Sequence, residues 1–210
     1  MNDRIYIYPL VIRIWHFVNA IMILLLIVTG VSLQYSDLEF AIIRFDYSVT
    51  IHNIAGVILA IDYLLFFVTN IVTGNYKHYK IKFKKYPKKL WRQFYYYSAG
   101  IFKGYDPPYQ VTENRKFNPL QQFSYVLVMY VFMPILVLSG FVLLFPEVVP
   151  NKIFGYGGIM IADFFHVING FFATVFLFVH VYFCTIGKNP ASSFKSIING
   201  WHEVNHSAKS

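Results

Sequence analysis

The stretch IMIADFFHVINGFFATVFLFVHVYFCTI, residues 159–186, decides the fold. It holds one carboxylate, Asp163, and no lysine, arginine or proline. The apolar run is continuous rather than alternating, which excludes a barrel strand and leaves a helix. At ~1.5 Å per residue such a helix is long enough to cross the hydrocarbon core of a bilayer. Two histidines, His166 and His180, interrupt it. Fourteen residues at ~100° each fall about 40° short of four full turns, so both rings project from nearly one face, ~21 Å apart along the axis. Ionisable side chains at such depths are costly and point to function.

Working outward, three more runs have the same character: Leu10 to Leu33, Thr50 to Thr73 and Leu120 to Phe145. The 210 residues are 57% hydrophobic and only 13% charged, more apolar surface than a soluble domain of this length can hide. The fold class expected is therefore an all-α membrane protein. It is a four-transmembrane-helix bundle forming a single membrane-embedded domain over residues 1–210, with spans at about 10–33, 50–73, 120–145 and 159–186.

The formal net charge of +8 could suggest nucleic acid, but its distribution argues against that. Between the second and third spans lie Lys77, Lys80, Lys82, Lys84, Lys85, Lys88, Lys89, Arg92, Lys103, Arg115 and Lys116. The first and third connections carry Arg44 and Lys152 against Asp37, Glu39, Asp46 and Glu147. This is the positive-inside asymmetry, which places both termini and the middle loop on the cytoplasmic side, with the basic run against an anionic membrane surface. Within that loop, Pro87 to Gly100 reads as an interfacial amphipathic helix with Trp91, Phe94, Tyr95 and Tyr97 in the headgroup layer. Asp106-Pro-Pro then ends it. Nothing before Leu10 reads as a short cleavable signal, so the first span is expected to be retained.

Four of the seven histidines, His16, His52, His166 and His180, fall within or at the ends of spans. With the N-terminus inside, His16 and His180 lie toward the cytoplasmic face, while His52 and His166 lie toward the outer one. The topology thus permits the pairs His16 with His180 and His52 with His166. Neutral imidazole is a good iron ligand, and a bundle core can hold a flat macrocycle. The residues therefore point to two b haems, each with two axial histidines. A centre so ligated has no open position and moves single electrons. Zinc or copper alone would need ligands converging on one point, which two pairs ~21 Å apart do not give. The lone Cys184 excludes an intramolecular disulfide, a c-type attachment and an iron–sulfur site from this chain alone.

Gly30, fourteen residues after His16, lies on the same face at the outer haem level, where it would let a porphyrin approach; ordinary helix packing would also use it. Gly56 and Gly170 each follow an outer histidine by one turn. Arg13 could pair with a propionate or anchor the helix at the interface. Asp163 could support His166 or offer an outer docking charge, and Asp62 could lie on a proton route or bond a neighbouring helix.

The residues Pro9-Leu-Val-Ile-Arg-Ile-Trp-His16, Thr29-Gly30, His52, Asn118-Pro-Leu-Gln-Gln122, Pro134, His166 and His180 give the chain a family likeness. From about Pro9 to Trp201 it resembles the bacterial dihaem cytochrome b subunits that anchor respiratory complexes of the nickel-iron hydrogenase, formate dehydrogenase and thiosulfate reductase type. The resemblance implies a location in the bacterial inner membrane. It also implies electron transfer between an extracytoplasmic redox subunit or cytochrome and the quinone pool, menaquinone or ubiquinone. It implies a quinone site beside the inner haem, where Asn118, Gln121 and Gln122 supply amide donors and acceptors; Asn118-Pro119 is equally a helix start. One departure is Phe17 after His16, where the family often has tryptophan. No catalytic residue is implied for this chain. Two other readings stay open: a stand-alone quinone-coupled dihaem cytochrome oxidising a diffusible one-electron donor, and a haem-free membrane anchor or transporter.

The charge asymmetry makes a direct prediction about sidedness. A cysteine placed at Lys84 is expected to be protected from an impermeant thiol reagent in intact cells and labelled after permeabilisation. Labelling from outside would invert the bundle and exchange its two faces.

Overall fold

The computed structural model of the chain describes residues 4–36, 42–109, 112, 115–186 and 190–203. Asp37 and Glu39, two of the acidic residues in the first connection, lie outside the described residues. Four helices are long and apolar enough to cross a membrane: α1, Leu10–Gln34; α2, Phe45–Val72; α4, Pro119–Leu144; and α5, Gly158–Thr185. Between α2 and α4 lies α3, Tyr86–Tyr95, continued by a π turn over Tyr96–Gly100. After α5 comes the short α6, Ser192–Asn199.

α2 begins five residues earlier than the hydrophobic run alone suggested. Its first turn holds Asp46, whose carboxylate suits the positive end of a helix and also pairs with Arg44 at 2.9 Å. Polar residues at the start of a span are legible as helix only when these local contacts are counted.

The described contacts gather into two compact units, neither continuous in sequence: one is Ile14–Val68 with Met129–Phe183, the other Met1–Arg13, Thr69–Val128 and Cys184–Ser210. In the first unit polarity is arranged as hydrocarbon demands. Thr29, Ser32 and Ser48 are at most 1% exposed, whereas Leu64, Phe171 and Phe178 are 65–71% exposed. Lipid solvates apolar side chains as well as a core does, so the interior is left for the groups that need partners.

α1 and α2 meet along an antiparallel seam. The Trp15 ring lies 4.7 Å from that of Phe66, Leu26 faces Gly56, and Thr29 meets His52. Residue numbers in these pairs sum to nearly the same value, as expected of two helices running in opposite directions. At the far end, Ser32 Oγ accepts from the backbone N–H of Ile43 at 2.8 Å and ties the chain entering α2 to α1.

In α4, a π turn over Val128–Phe132 ends two residues before Pro134. Proline lacks an N–H and crowds the carbonyl four residues back, and a π turn accommodates that disruption within a continuing helix. The hydroxyl of Tyr63 in α2 donates to the Met129 carbonyl at 2.7 Å, so a backbone group within the turn gains a partner from the neighbouring helix.

In the second unit, strand β1 (Arg4–Tyr6) pairs antiparallel with β4 (Trp201–Glu203), joining the two ends of the chain. A separate two-residue hairpin, β2 (Lys152–Ile153) with β3 (Tyr156–Gly157), belongs to the first unit. The amphipathic segment expected over Pro87 to Gly100 is present. Its Trp91 and Phe94 are exposed and stack at 5.7 Å, while Tyr86 is buried and donates to the Pro119 carbonyl at 2.8 Å. Tyr97 departs from the headgroup reading: it is half-buried, and its hydroxyl accepts from Asn118 Nδ2 at 3.0 Å.

Tyr63→Phe is expected to cost about 1 kcal/mol by stranding the Met129 carbonyl in an apolar medium. Thermal unfolding in detergent measures this; an unchanged midpoint would show that the π turn needs no partner from α2.

Candidate functional site

All four intramembrane histidines belong to the first unit, and the structure brings them together in two pairs. The rings of His16 and His180 have centroids 6.3 Å apart, and those of His52 and His166 6.1 Å apart. A metal about 2 Å from a nitrogen on each side, plus the ring radius on each side, places two axial imidazoles roughly 6 Å apart. In both pairs the rings stand far enough apart that a metal ion could reach a nitrogen of each.

The surroundings of the two pairs differ. His52 Nδ1 lies 2.9 Å from Thr29 Oγ1, and His166 Nδ1 lies 3.0 Å from Ser139 Oγ. Each of those residues is followed by a glycine. A Cβ at Gly30 would sit 3.4 Å from His52 Cε1, and one at Gly140 would sit 3.2 Å from His166 Cε1. The step thus brings a hydroxyl to the ring and, at Gly140, leaves out a side chain that would crowd it. In the other pair, His16 Nδ1 is buried without a hydrogen-bond partner among the described residues, and its ring meets Phe17 edge-on at 5.9 Å. His180 stacks on Phe176 at 5.6 Å.

Gly30 thus sits beside the imidazole of His52, where an added Cβ would make ordinary van der Waals contact. Gly56 faces Leu26 across the α1–α2 seam, while Gly170 leaves open space on α5. Asp163 is exposed, and the Nδ1 partner of His166 is Ser139 instead. Thr29 stood in the sequence only as part of a motif, and Ser139 and Gly140 were not singled out. The detectable signal was the repeated hydroxyl–glycine dipeptide, once in each of two spans.

The remaining candidates lie in the second unit. Arg13 donates through Nε to the Ile197 carbonyl at 3.3 Å and through Nη2 to the Ile198 carbonyl. Its cation thereby caps carbonyls at the C-terminal end of α6. Asn118 and Gln121 form a reciprocal capping box at the start of α4: Asn118 Oδ1 accepts from the Gln121 N–H at 2.9 Å, and Gln121 Oε1 accepts from the Asn118 N–H at 3.1 Å. Gln122 Nε2 donates to the carbonyls of His78 at 2.7 Å and Lys80 at 3.2 Å. These amides hold the loop against the helix start. Beside them, half-buried Lys116 donates to Asn75 Oδ1 at 3.0 Å and lies 5.6 Å from the centre of the Tyr8 ring.

Four helices long and apolar enough to cross a membrane, with histidines that face one another in two pairs, fit the class of membrane cytochromes whose haem is held between helices. The chain belongs to the prokaryotic cytochrome b561 family, whose model matches residues 7–200. It is 32% identical over 201 residues to "Putative cytochrome YdhU" of Escherichia coli (strain K12), covering 96% of this chain and 76% of that one. The protein is accordingly a multi-pass membrane cytochrome of b type, which binds haem b and transfers electrons.

Burial pushes the Lys116 amine down to about 8. It should therefore become nucleophilic as pH rises through about 8, well before exposed lysines, which do so near 10.4. Acylation followed by mass spectrometry is expected to give Lys116 a pH midpoint about two units below that of the other loop lysines. A shared midpoint would mean the amine is solvated.

Proposed function

We propose that this protein carries electrons across the bacterial inner membrane through two haem b groups, between an extracytoplasmic redox partner and the quinone pool. The observation that carries this reading is the pair of imidazole pairs 6.1 and 6.3 Å across, in helices that cross the bilayer. His16 and His180 would hold one group, and His52 and His166 the other. Haem iron held by two imidazoles supplies reversible one-electron chemistry with no position left for a small ligand. The chain's own part is to fix the four rings, exclude water from them, and keep the two sites ~21 Å apart along α5, each near one face of the membrane.

The excess of lysine and arginine between the second and third spans supports a cytoplasmic location for both termini. His52 and His166 then face the outer side. There the hairpin β2–β3 carries Phe154, 96% exposed, and Tyr156, 62% exposed, apolar surface suited to a docked redox subunit. Quinone exchange belongs to the cytoplasmic end, near the start of α4. Asn118, Gln121 and Gln122 would bound that site, with the capping box fixing the first two in place. The basic, aromatic surface of α3, with Lys88, Lys89, Arg92, Trp91 and Phe94, suits anionic lipid headgroups.

A pyridine haemochrome assay on the purified protein is expected to give two b haems per chain. His52→Ala or His166→Ala should each leave one, as should His16→Ala or His180→Ala. One haem in the unaltered protein would reject the paired-ligand reading. Retention of a redox subunit after mild solubilisation would favour a respiratory complex over a stand-alone cytochrome.

A further inference from the structure

We propose that Thr29 and Ser139 are positioning residues that lock both imidazoles of the His52/His166 pair in one tautomer and give the haem held there the lower reduction potential of the two. The proposal rests on the dihaem reading above and adds an order of potentials to it.

A hydroxyl has one proton to donate. Thr29 Oγ1 places its proton on the Leu25 carbonyl at 2.7 Å, and Ser139 Oγ places its own on the Ile135 carbonyl at 2.6 Å. Each oxygen faces the imidazole with lone pairs only, so at 2.9 and 3.0 Å the contact is made by an Nδ1–H donating to it. Nε2 is thereby left as the unprotonated nitrogen of both rings, available to a metal. In this way a helical carbonyl, four residues before the hydroxyl, orients the ring on the next helix.

The device occurs twice with the same parts. Thr29-Gly30 on α1 serves His52 on α2, the next span, and Ser139-Gly140 on α4 serves His166 on α5, again the next span. An imidazole that donates from its distal nitrogen is a more basic ligand, which favours ferric over ferrous iron and lowers the potential. Both rings of this pair have that support. In the other pair His16 Nδ1 has no hydrogen-bond partner among the described residues, so at least one of its rings lacks it. A single electron then passes downhill from the His52/His166 site to the His16/His180 site, oxidising one iron and reducing the other.

The test is an optical redox titration of the purified protein, preceded by a haem count. Thr29→Val and Ser139→Ala are each expected to shift the lower-potential component upward and leave the upper one in place, with a larger shift in the double variant. Thr29→Ser and Ser139→Thr keep an acceptor and should restore the original value, which a purely packing role would not require. If a variant sheds a haem, disappearance of the lower component supports the assignment and disappearance of the upper one overturns it. Movement of the upper component, or of neither, also overturns it while leaving the dihaem reading intact. A single haem in the unaltered protein would instead overturn that reading, and the proposal with it.

Discussion

An imidazole inside a bilayer has two nitrogens and no water, so any partner a nitrogen has must come from the protein, a demand left unmet at His16 Nδ1 among the described residues. At His52 and His166 that demand is met by a chain of three groups: ring N–H, hydroxyl, and the carbonyl one turn back along the helix that bears the hydroxyl. Each hydroxyl proton is held mainly by one carbonyl, with a second farther off at 3.4 Å (Leu26) for Thr29 and 3.3 Å (Leu136) for Ser139, which leaves the oxygen lone pairs to orient the ring. Removing the hydroxyl would leave a buried donor unpaired, at a cost of about 1–3 kcal/mol. Side-chain placement around this pair follows from that arrangement, including the two glycines beside the rings.

The same scarcity of water explains why the first unit is polar inside and apolar outside. Its buried serines and threonine bond backbone groups, and leucine, isoleucine and phenylalanine are prominent among its exposed residues. Association between such helices cannot draw on hydrophobic burial, because lipid competes equally. Close packing and a few interhelical hydrogen bonds must hold them. The α1–α2 seam combines both: an aromatic contact at Trp15–Phe66 and the Thr29–His52 bond. Asp62, 6% exposed, also lies in α2, and neither its Oδ2 nor Asn19 Nδ2 has a hydrogen-bond partner among the described residues.

The second unit obeys different rules, since its groups lie at the ends of the spans where water and headgroups are available. Amides at the start of α4 are spent on capping, and Arg13 on the carbonyls at the end of α6. A quinone binding there would meet side chains already oriented by these bonds. Preorganisation of this kind suits exchange of a small polar headgroup better than free amides would, because little order remains to be imposed on binding.

Much of the architecture was legible in residues alone. The four apolar runs predict four spans, since continuous hydrophobicity of that length has one stable arrangement in lipid. The fourteen-residue interval between His166 and His180 places both rings on one face of α5 by helical geometry. The amphipathic stretch after Pro87 is likewise legible, because its pattern is local. What the sequence could not decide was which groups on different helices meet. Nothing in Thr29, Ser139 or Gly140 taken singly marks a neighbour of a histidine, and Gly30 read along its own helix does not show that it lies beside His52. Arg13 and Asn118 each had two readings that differ only in the partner. Periodicity is a property of one helix and can be read along it. A hydrogen bond between helices depends on rotation and axial offset to within a fraction of an ångström, and those are set only when all the spans pack together.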